Sequence, residues 1–205
     1  MSRFTGPRLK VMRALGVELP GLSRKSIEAR PTPPGQHGAR AVRRKKSDFG
    51  IKLMEKQKLR FNYGLSERQL RRLMMDARRG QAPTGETLLS LLERRLDNVV
   101  YRAGYAPTIA AARQLVNHRH VLLNGKLASI PSMRLKVGDE VTLKSSSRQL
   151  PMVLETLKDM PLTRPEWLSW DSQGLQARVT HLPAAEDVPF PVDVQQVVEY
   201  YANRL

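Results

Sequence analysis

Residues 88–143 read LLSLLERRLDNVVYRAGYAPTIAAARQLVNHRHVLLNGKLASIPSMRLKVGDEVTL, and the expected fold is built outward from this segment. Its first part repeats apolar residues at the spacing of one helical face, and Gly104 then tolerates the left-handed conformation that commonly ends a helix. A second helix is predicted to begin after Thr108, a candidate N-cap. The predicted buried faces are Leu88, Leu92, Leu96, Val99, Val100 and Ala103 in the first helix, and Ile109, Ala112, Leu115 and Val116 in the second.

The rest of this segment consists of short apolar runs separated by turn residues, which indicates β-strands. Asn124-Gly125 is a strong signal for a two-residue hairpin turn. Gly138-Asp139 separates two alternating runs and predicts a second hairpin. On the second helix, Arg113 and Asn117 are four residues apart and share a face that is not buried. Two short helices are thus followed by a small sheet, and cationic side chains on one helix lie outside its buried face. This arrangement is suited to binding a nucleic acid.

The composition points to a polyanionic partner. The 205 residues contain 35 Lys and Arg against 19 Asp and Glu, which gives a net charge of +16 and is typical of proteins that bind nucleic acid or an acidic membrane surface. Cysteine is absent, so disulfides and thiolate-ligated metal sites are excluded. No run approaches the ~18 apolar residues of a membrane span. Aromatic residues make up only 5%, so base stacking is not expected to be the main source of affinity.

The positive charge is concentrated in the first three-quarters of the chain. Residues 1–150 contain 31 Lys and Arg against 11 Asp and Glu, whereas residues 151–205 contain 4 against 8. We therefore expect the polyanionic partner to meet residues 1–150, and the remainder of the chain to face something else.

Residues 1–44 show no convincing apolar periodicity. Pro20, Pro31, Pro33 and Pro34 interrupt this segment, which argues for an extended arm rather than a packed unit. The arm is either a disordered tail or a segment that orders when it binds RNA, and basic arms commonly behave in the second way.

Two helices are predicted after the arm. The first begins at Ser47, a candidate cap, and ends at Gly64. The second opens with a capping box formed by Ser66 and Gln69. Its predicted buried stripe contains Leu70, Leu73, Met74 and Ala77. A charged helix face is commonly only solvated, but here five arginines are opposed by two acids, which favours contact with phosphates.

The last third of the chain gives weaker signals. WLSWD at 167–171 and LQARVTHL at 175–182 flank a turn and predict a strand pair that extends the sheet. Trp167 and Trp170 either stack on bases or pack in the core, and their acidic neighbourhood favours the core. A final helix is predicted after Asp193, and its apolar stripe contains Val194, Val197, Val198 and Tyr201.

Several of these motifs resemble those of known proteins. Leu92-Glu93-Arg94-Arg95-Leu96, Val100-Tyr101-Arg102 and Ala112-Arg113-Gln114-Leu115-Val116 resemble the alpha-L RNA-binding motif, which several families share. The wider sequence resembles small-subunit ribosomal protein number four of the bacterial and organellar type over nearly its whole length. The motifs that carry this second resemblance are PGQHGAR at 34–40, KKSDFGIKLMEKQKLRFNYG at 45–64, TGETLLSLLERRLDNVVYR at 84–102 and VVEYYAN at 197–203. Relatives often build a four-cysteine zinc knot in the arm, and this sequence departs from that pattern.

This resemblance implies an α+β fold in three parts. Residues 1–44 form an extended basic arm, residues 45–92 together with 183–205 form a helical domain that the C-terminal helix completes, and residues 93–182 form an inserted alpha-L type domain. The inserted domain contains two helices and a small antiparallel sheet.

The resemblance also implies a function. The chain is expected to be a structural constituent of the small ribosomal subunit, in the cytoplasm or inside an organelle, and to bind the small-subunit ribosomal RNA early in assembly. Its arm would lie near the path by which mRNA enters, and its C-terminal end would contact ribosomal protein number five and influence translational accuracy. No cofactor, metal, membrane or small-molecule substrate is expected.

The residues expected to bind RNA are basic or amide side chains of the arm, the helices and the central motif. They are Arg3, Arg8, Lys10, Arg40, Arg43, Arg44, Lys45, Lys46, Lys58, Arg68, Arg71, Arg72, Arg78, Arg79, Arg95, Arg102, Arg113, Gln114, Asn124 and Lys126. For Arg95, a local pair with Asp97 or Glu93 is the alternative. Glu199 and Tyr200 lie off the apolar stripe of the last helix and are expected to face a protein neighbour.

Two other classes of function stay open at this point: an RNA-modifying enzyme with an appended RNA module, and a free RNA-binding module such as a stress-response or tRNA-salvage factor. Arg95-Leu96-Asp97 matches the arginine-leucine-aspartate of pseudouridine synthases, but too few residues remain to build their catalytic domain. His118 and His120 would point apart on a helix, and no third metal ligand is nearby. Because no Ser-His-Asp or paired-carboxylate arrangement is evident, we predict that the chain is not an enzyme.

Overall fold

The computed structural model describes residues 4–41, 45–202 and 204. The chain forms two compact units, one made of Met1–Leu88 together with Phe190–Leu205 and the other of Leu89–Pro189. We call them the terminal unit and the central unit. The three-part division drawn from the sequence stays a prediction of domain extent.

The first segment of the terminal unit contains helices that the sequence did not indicate, Arg8–Leu15 (α1) and Gly38–Ala41 (α2). α1 ends at Gly16, where a φ of +68° gives the left-handed conformation that favours glycine. Met12 and Leu19 are fully buried, and the Gly21 amide donates to Asn62 Oδ1 at 2.9 Å. Isolated anchors therefore hold this segment in place of a periodic apolar stripe, and such anchors leave no helical pattern in the sequence.

Three longer helices follow, Asp48–Asn62 (α3), Glu67–Arg78 (α4) and Thr84–Glu93 (α5). The predicted cap of α3 is confirmed, since the Ser47 hydroxyl accepts from the Gly50 amide at 3.2 Å. The capping box of α4 is also confirmed: Ser66 Oγ accepts from the Gln69 amide at 3.3 Å, and Gln69 Oε1 accepts from the Ser66 amide at 3.0 Å. All four residues of its predicted apolar stripe are buried.

The helix predicted from Leu88 to Ala103 is interrupted, and this prediction is corrected. α5 ends at Glu93, and Leu96–Arg102 (α6) begins after Arg95, whose ψ of 138° is extended. The Leu96 amide donates to the Met133 carbonyl at 2.8 Å, and the Asp97 amide donates to the Pro131 carbonyl at 3.0 Å. These bonds reach a segment 34 to 37 residues further along the chain and replace intrahelical ones, so the apolar spacing continues while the helix does not.

The second predicted helix of the central unit is confirmed as Ile109–Asn117 (α7). Thr108 Oγ1 accepts from the Ala111 amide at 3.3 Å and caps it. The four predicted core residues of α7 are buried. The pair His118 and His120 lies beyond the end of this helix and not on it, with ring centroids 6.1 Å apart.

The central unit contains one antiparallel sheet. Its elements in chain order are Val121–Leu123 (β1), Lys126–Ala128 (β2), Glu140–Leu143 (β3), the helix Pro151–Lys158 (α8), Leu168–Asp171 (β4) and Gln176–Val179 (β5). The strand order is β2-β1-β3-β5-β4. The hairpin at Asn124-Gly125 is confirmed, with φ values of +50° and +76° at its two turn residues. The predicted pairing of the tryptophan-containing strand with the next one is confirmed as β4 with β5.

The second predicted hairpin, at Gly138-Asp139, is wrong. The Gly138 amide donates to the Val179 carbonyl at 2.8 Å, and the Val179 amide donates to the Asp139 carbonyl at 3.0 Å. This segment therefore continues the pairing of β3 with β5. The run before it contributes only a bridge between Arg134 and Arg95, with Leu135 buried and Val137 exposed. Alternation agrees with the burial of Leu135, Val141 and Leu143 but not with the exposure of Val137, and it did not show which strand is the partner.

The C-terminal helix, Val194–Ala202 (α9), returns to the helices of the terminal unit as expected. Asp193 caps it by accepting from the Gln196 amide at 3.2 Å, and the Asp193 amide donates to Glu55 Oε2 on α3 at 2.9 Å. Tyr201 is buried and donates its hydroxyl to Glu67 Oε1 at the start of α4 at 2.7 Å.

This contact predicts a pH dependence of stability. Burial alone would raise the pKa of Glu67, but hydrogen bonds from Lys56 and Tyr201, together with the charges of Lys56 and Arg60, lower the pKa below its ordinary 4.5. A carboxylate whose pKa falls on folding stabilises the native state above its unfolded pKa, and this stabilisation is lost as the pH falls through the folded value. Urea unfolding followed by circular dichroism should therefore show a cost of Glu67→Gln at pH 6 that shrinks at pH 3. Glu86→Gln, at another exposed acid, should show no such change, and a pH-independent cost of Glu67→Gln would contradict the account.

Candidate nucleic-acid interface

The exposed face of α4 and its C-cap carry a group of arginines. The buried face is fixed by Leu70, Leu73, Met74 and Ala77, and the capping box sets where the helix begins. Five of the predicted RNA-binding residues lie on the remaining surface and are exposed, namely Arg68, Arg71, Arg72, Arg78 and Arg79. Because a guanidinium group donates two parallel hydrogen bonds to a phosphate, this face can bind a nucleic-acid backbone without reading its sequence.

The arginines of the central motif have a different environment. Asp97 is fully buried, and its carboxylate accepts from two guanidinium groups. Arg95 binds it through Nε at 3.0 Å and NH2 at 2.8 Å, and Arg113 binds it through Nε at 3.0 Å and NH2 at 2.7 Å. The side chain of Arg95 is 6% exposed and that of Arg113 is 17% exposed. Two guanidinium groups therefore share one buried carboxylate, and Arg113 is the more exposed of the two.

A second buried carboxylate, that of Glu93, lies on the neighbouring turn. Its Oε2 is 3.4 Å from Arg102 Nε and accepts from Asn98 Nδ2 at 2.9 Å. Arg102 NH2 also donates to the Asp187 carbonyl at 2.5 Å. Arg102 thus joins α6 to the segment that follows the sheet.

Arg95 and Arg102 were predicted to bind RNA, and this assignment stays a prediction; in the structure both side chains are engaged within the chain. Each residue exposes only 5% of its surface and is paired with a buried carboxylate, so these guanidinium groups hold the fold. Arg95 lies at the break between α5 and α6, and its side chain pairs there with the buried Asp97. The local pair of Arg95 with Asp97, the alternative considered from the sequence, is the one observed.

Asp97 also cannot act as a nucleophile, because it has no exposed surface and holds two guanidinium groups. The likeness of Arg95-Leu96-Asp97 to a catalytic tripeptide is therefore a coincidence of sequence. Among the described residues, no group of three or more His, Cys, Asp or Glu side chains could hold a metal ion.

Two residues at the tip of the β1–β2 hairpin, Asn124 and Lys126, were predicted to contact RNA, and they differ in their surroundings. Asn124 is committed to the fold, since its Nδ2 donates to Asp139 Oδ1 and its Oδ1 accepts from the Glu140 amide, both at 2.8 Å. Lys126 and, on α7, Gln114 are exposed and stay candidates for RNA contact.

The predicted contacts in the first part of the chain also separate into two groups. Arg8, Lys10, Arg40, Lys45 and Lys46 are exposed. Arg3, Arg43 and Arg44 lie outside the described residues.

Lys58 is buried, and its RNA assignment stays a prediction. It contacts Glu55 Oε1 at 2.6 Å and the Pro191 carbonyl at 3.2 Å. It joins α3 to the segment before α9, because an ammonium with three donors satisfies both partners at once.

The two residues predicted to face a protein lie at the edge of a shallow groove of about 230 Å³, lined by Phe49, Lys52, Glu199, Tyr200 and Arg204. Glu199 pairs with Lys52 at 2.8 Å, which lowers the pKa of its carboxyl. The Tyr200 ring stacks on Phe49 with centroids 5.9 Å apart. Phe49 is 49% exposed, so the groove presents an apolar ring beside charged groups.

Sequence reasoning missed three arginines of the central unit. Arg119 is exposed directly after α7 with a φ of +60°, and Arg134 is exposed opposite Arg95. Arg94 is half-buried and donates from Nε to the Leu135 carbonyl at 2.8 Å. Position in the central motif was the available signal for Arg94, whereas the place of Arg134 opposite Arg95 is shown only by the bridge.

Comparison with known proteins decides which family carries this arrangement. The family model described as "Ribosomal protein S4/S9 N-terminal domain" matches residues 3–93. The model described as "S4 domain" matches residues 94–141. The small ribosomal subunit protein uS4 of Methylobacillus flagellatus is 80% identical over 205 residues, which is the full length of both chains. Small ribosomal subunit protein uS4B of Nitrosomonas europaea is 75% identical, also over the full length of both. The chain belongs to the uS4 family.

Membership of the uS4 family makes the chain a ribosomal protein with an RNA-binding S4 domain, and not an enzyme. The matched S4 domain contains α6, α7, β1 and β2, and it ends at the start of β3. Within the described ranges, no helix is long and apolar enough to cross a membrane.

The two tryptophans of this uS4 chain pack within the central unit. Trp167 is fully buried. The Trp170 ring lies 5.6 Å from the Tyr105 ring, and the Arg164 guanidinium lies 3.9 Å from its centroid. Core packing, which the sequence favoured over base stacking, is the arrangement observed.

The shared carboxylate predicts a large loss of stability in one substitution. Asp97→Asn keeps the shape but leaves two guanidinium groups without their buried counter-charge, and breaking a buried ion pair costs about 3 kcal/mol or more. Urea unfolding followed by tryptophan fluorescence reports on the central unit, since Trp167 and Trp170 both lie there. Glu166→Gln, at an exposed acid of the same unit, should change stability by less than about 0.5 kcal/mol. A small effect of Asp97→Asn would show that Asp97 does not hold this unit together.

Proposed function

We propose that this protein is a structural constituent of the small ribosomal subunit that binds the small-subunit ribosomal RNA directly and early in assembly. The observation that carries the proposal is the 80% identity, over the full length of both chains, to a protein named for the small ribosomal subunit. Two full-length relatives from bacteria, at 80% and 75% identity, favour the cytoplasmic ribosome of a bacterium as its location.

The distribution of charge supports direct RNA binding by residues 1–150. The exposed arginines of α4, the exposed cations of the first segment and the partly exposed Arg113 all belong to that part of the chain. Residues 151–205 carry a net negative charge and are expected to lie away from the RNA or against other small-subunit proteins.

A contribution to the entry path of mRNA is the second part of the proposal. Arg40, Lys45 and Lys46 are exposed, and Arg43 and Arg44 of the same run lie outside the described residues. Like charges at this density repel one another in the free protein, so a polyanion is needed to keep them together. The resemblance to ribosomal protein number four is the reason for naming mRNA as that polyanion.

A contribution to translational accuracy, through contact with ribosomal protein number five, is the third part. The groove beside Glu199 and Tyr200 offers an exposed aromatic ring, an ion pair and the Arg204 guanidinium, which lies 4.5 Å from the Tyr200 centroid. Such a mixed apolar and charged surface is typical of protein contacts and is a poor site for RNA phosphates.

One prediction of this proposal tests RNA binding by α4. Replacing Arg71 and Arg72 together with Ala should weaken binding to a small-subunit ribosomal RNA fragment and reduce the slope of log affinity against log salt by about 2, since each neutralised phosphate adds about 0.9 to that slope. Filter binding between 50 and 300 mM salt measures both quantities. The control replaces Lys158 and Arg178, two exposed cations of the acidic part, and makes the same change in charge. Equal slopes for the two double variants would exclude α4 from the RNA contact.

Another prediction of this proposal tests the contribution to translational accuracy. Glu199→Gln combined with Tyr200→Ala should leave RNA affinity unchanged and raise misreading of near-cognate codons in reconstituted subunits. A contact weaker by about 1.4 kcal/mol shifts a two-state balance tenfold. Glu186→Gln, at an exposed acid outside the groove, is the control. The proposed contact fails if accuracy is unchanged, or if RNA affinity drops as it does for the α4 variant.

A further inference from the structure

The C-terminal helix α9 and the segment before it contact α3 largely through charged side chains. Glu55 Oε2 of α3 accepts from the Asp193 amide at 2.9 Å, and Lys58 Nζ of α3 donates to the Pro191 carbonyl at 3.2 Å. Charged side chains such as Glu55 and Lys58 are well solvated when water reaches them. Removal of α9 would therefore hydrate these two groups of α3, and it would expose little apolar surface at these contacts.

The apolar contacts of the same segment are few. Within α9, all of which the structure describes, Val197 and Tyr201 are the buried side chains. Tyr201 also donates its hydroxyl to Glu67 Oε1 at the start of α4. Before the helix, Phe190 is buried and packs on Tyr63 with ring centroids 6.2 Å apart. Because a nine-residue helix is marginal in water by itself, α9 depends on these contacts to form.

A glycine of α5 provides the space in which α9 begins. A Cβ at Gly85 would lie 2.9 Å from Val194 Cγ1 and 3.2 Å from Val194 Cγ2. A β-branched side chain in a helix has one strongly preferred rotamer, so rotation of Val194 would not easily relieve this clash. Close seating of α9 therefore requires that position 85 carries no side chain.

We propose that residues 190–202 form a clasp that opens and closes as one unit while α3 and α4 stay folded. Its contacts with α3 involve side chains that water can solvate. In addition, α9 buries two side chains, whereas α4 buries a stripe of four apolar ones. A segment with few buried apolar contacts opens locally at a lower free energy than the unit to which it belongs.

The clasp also controls the groove described above. Phe49 and Lys52 line the groove from α3, and Glu199 and Tyr200 line it from α9. Lys52 pairs with Glu199 at 2.8 Å, and the Tyr200 ring stacks on Phe49, only while the clasp is closed. The open form therefore has no groove. Use of the groove by a protein partner rests on the proposed function, whereas the clasp itself does not.

Hydrogen exchange of the full chain, followed by NMR, tests the clasp. Relative to their intrinsic rates, the amides in the last turns of α9 should exchange about tenfold faster or more than the amide of Met74, a fully buried residue of α4. Because local opening exposes little surface, low concentrations of urea should accelerate exchange in α4 more steeply than in α9. Equal protection and equal urea dependence of the two helices would overturn the proposal, since α9 would then open only with the whole unit.

The substitution Gly85→Ala should unseat the clasp. We expect exchange in α9 to accelerate about tenfold or more and exchange in α7 of the central unit to stay unchanged. Gly50→Ala is the matched control, since Gly50 also lies in the first turn of a helix and its Cβ would be 3.4 Å from Ser47 Oγ, an ordinary contact. Adding Val194→Ala to Gly85→Ala should restore the exchange seen with Val194→Ala alone. Wild-type exchange of α9 in Gly85→Ala would overturn the proposal.

A second variant decides the matter if Gly85→Ala does not fold. Tyr201→Phe removes only the hydroxyl that is bonded to Glu67. It should accelerate exchange in α9 several-fold and leave the amide of Met74 unchanged. Equal acceleration at both places would show that α9 and α4 open together, and it would overturn the clasp.

A last measurement separates the clasp from the proposed function. Purified ribosomal protein number five should slow exchange in α9 of the wild-type chain, because a partner that binds the groove binds only the closed form. Unchanged exchange on adding this protein would overturn the proposed protein contact. The exchange of the free chain and of its variants would still decide whether the clasp exists.

Discussion

The structure of the central unit depends on the burial of one carboxylate, that of Asp97, between two guanidinium groups. Taking a carboxylate out of water is costly, and the cost is offset only when its oxygens are fully hydrogen-bonded to opposite charges. Arg95 and Arg113 meet this condition with bonds of 2.7–3.0 Å. Arg95 lies between α5 and α6 and Arg113 lies on α7, so one ionic contact fixes how the two helices of the RNA-binding motif pack. It also fixes the point at which the chain leaves α5.

In a basic protein that binds RNA, some cationic side chains stabilise the fold and others are available to phosphates. Burial distinguishes the two groups. Arg95, Arg102, Lys56 and Lys58 are buried against carboxylates of their own unit. The arginines of α4 are exposed on a helix whose opposite face is held by four apolar residues. The net charge of the chain therefore overstates the number of cations that can reach a phosphate, and the salt dependence of binding will reflect only the exposed ones.

Carboxylates serve the same structural purpose in the terminal unit. Glu55 and Glu67 each accept bonds both from a lysine of α3 and from the C-terminal part of the chain, at the Asp193 amide and the Tyr201 hydroxyl. Such contacts help to bring two distant parts of the sequence into one helical unit. They leave Glu199, Tyr200 and Phe49 at the surface, where a protein partner can reach them.

The sequence by itself determined the elements whose signals are local. The caps at Ser47, Ser66, Thr108 and Asp193, the buried face of α7 and the hairpin at Asn124-Gly125 follow from residues within four positions of one another. The exposed arginine face of α4 could be predicted for the same reason, because a helix with one apolar stripe leaves its other sides to solvent. Only the tertiary structure decided the break at Arg95, the pairing of β3 with β5 in place of a second hairpin, and the burial of Arg95, Arg102 and Lys58. Each of these depends on a partner that lies far away in the sequence or on a backbone hydrogen bond that carries no side-chain signature. An arginine within an RNA-binding motif has the same letter whether it faces a phosphate or a buried aspartate, and the direction it faces is set by the residues packed around it.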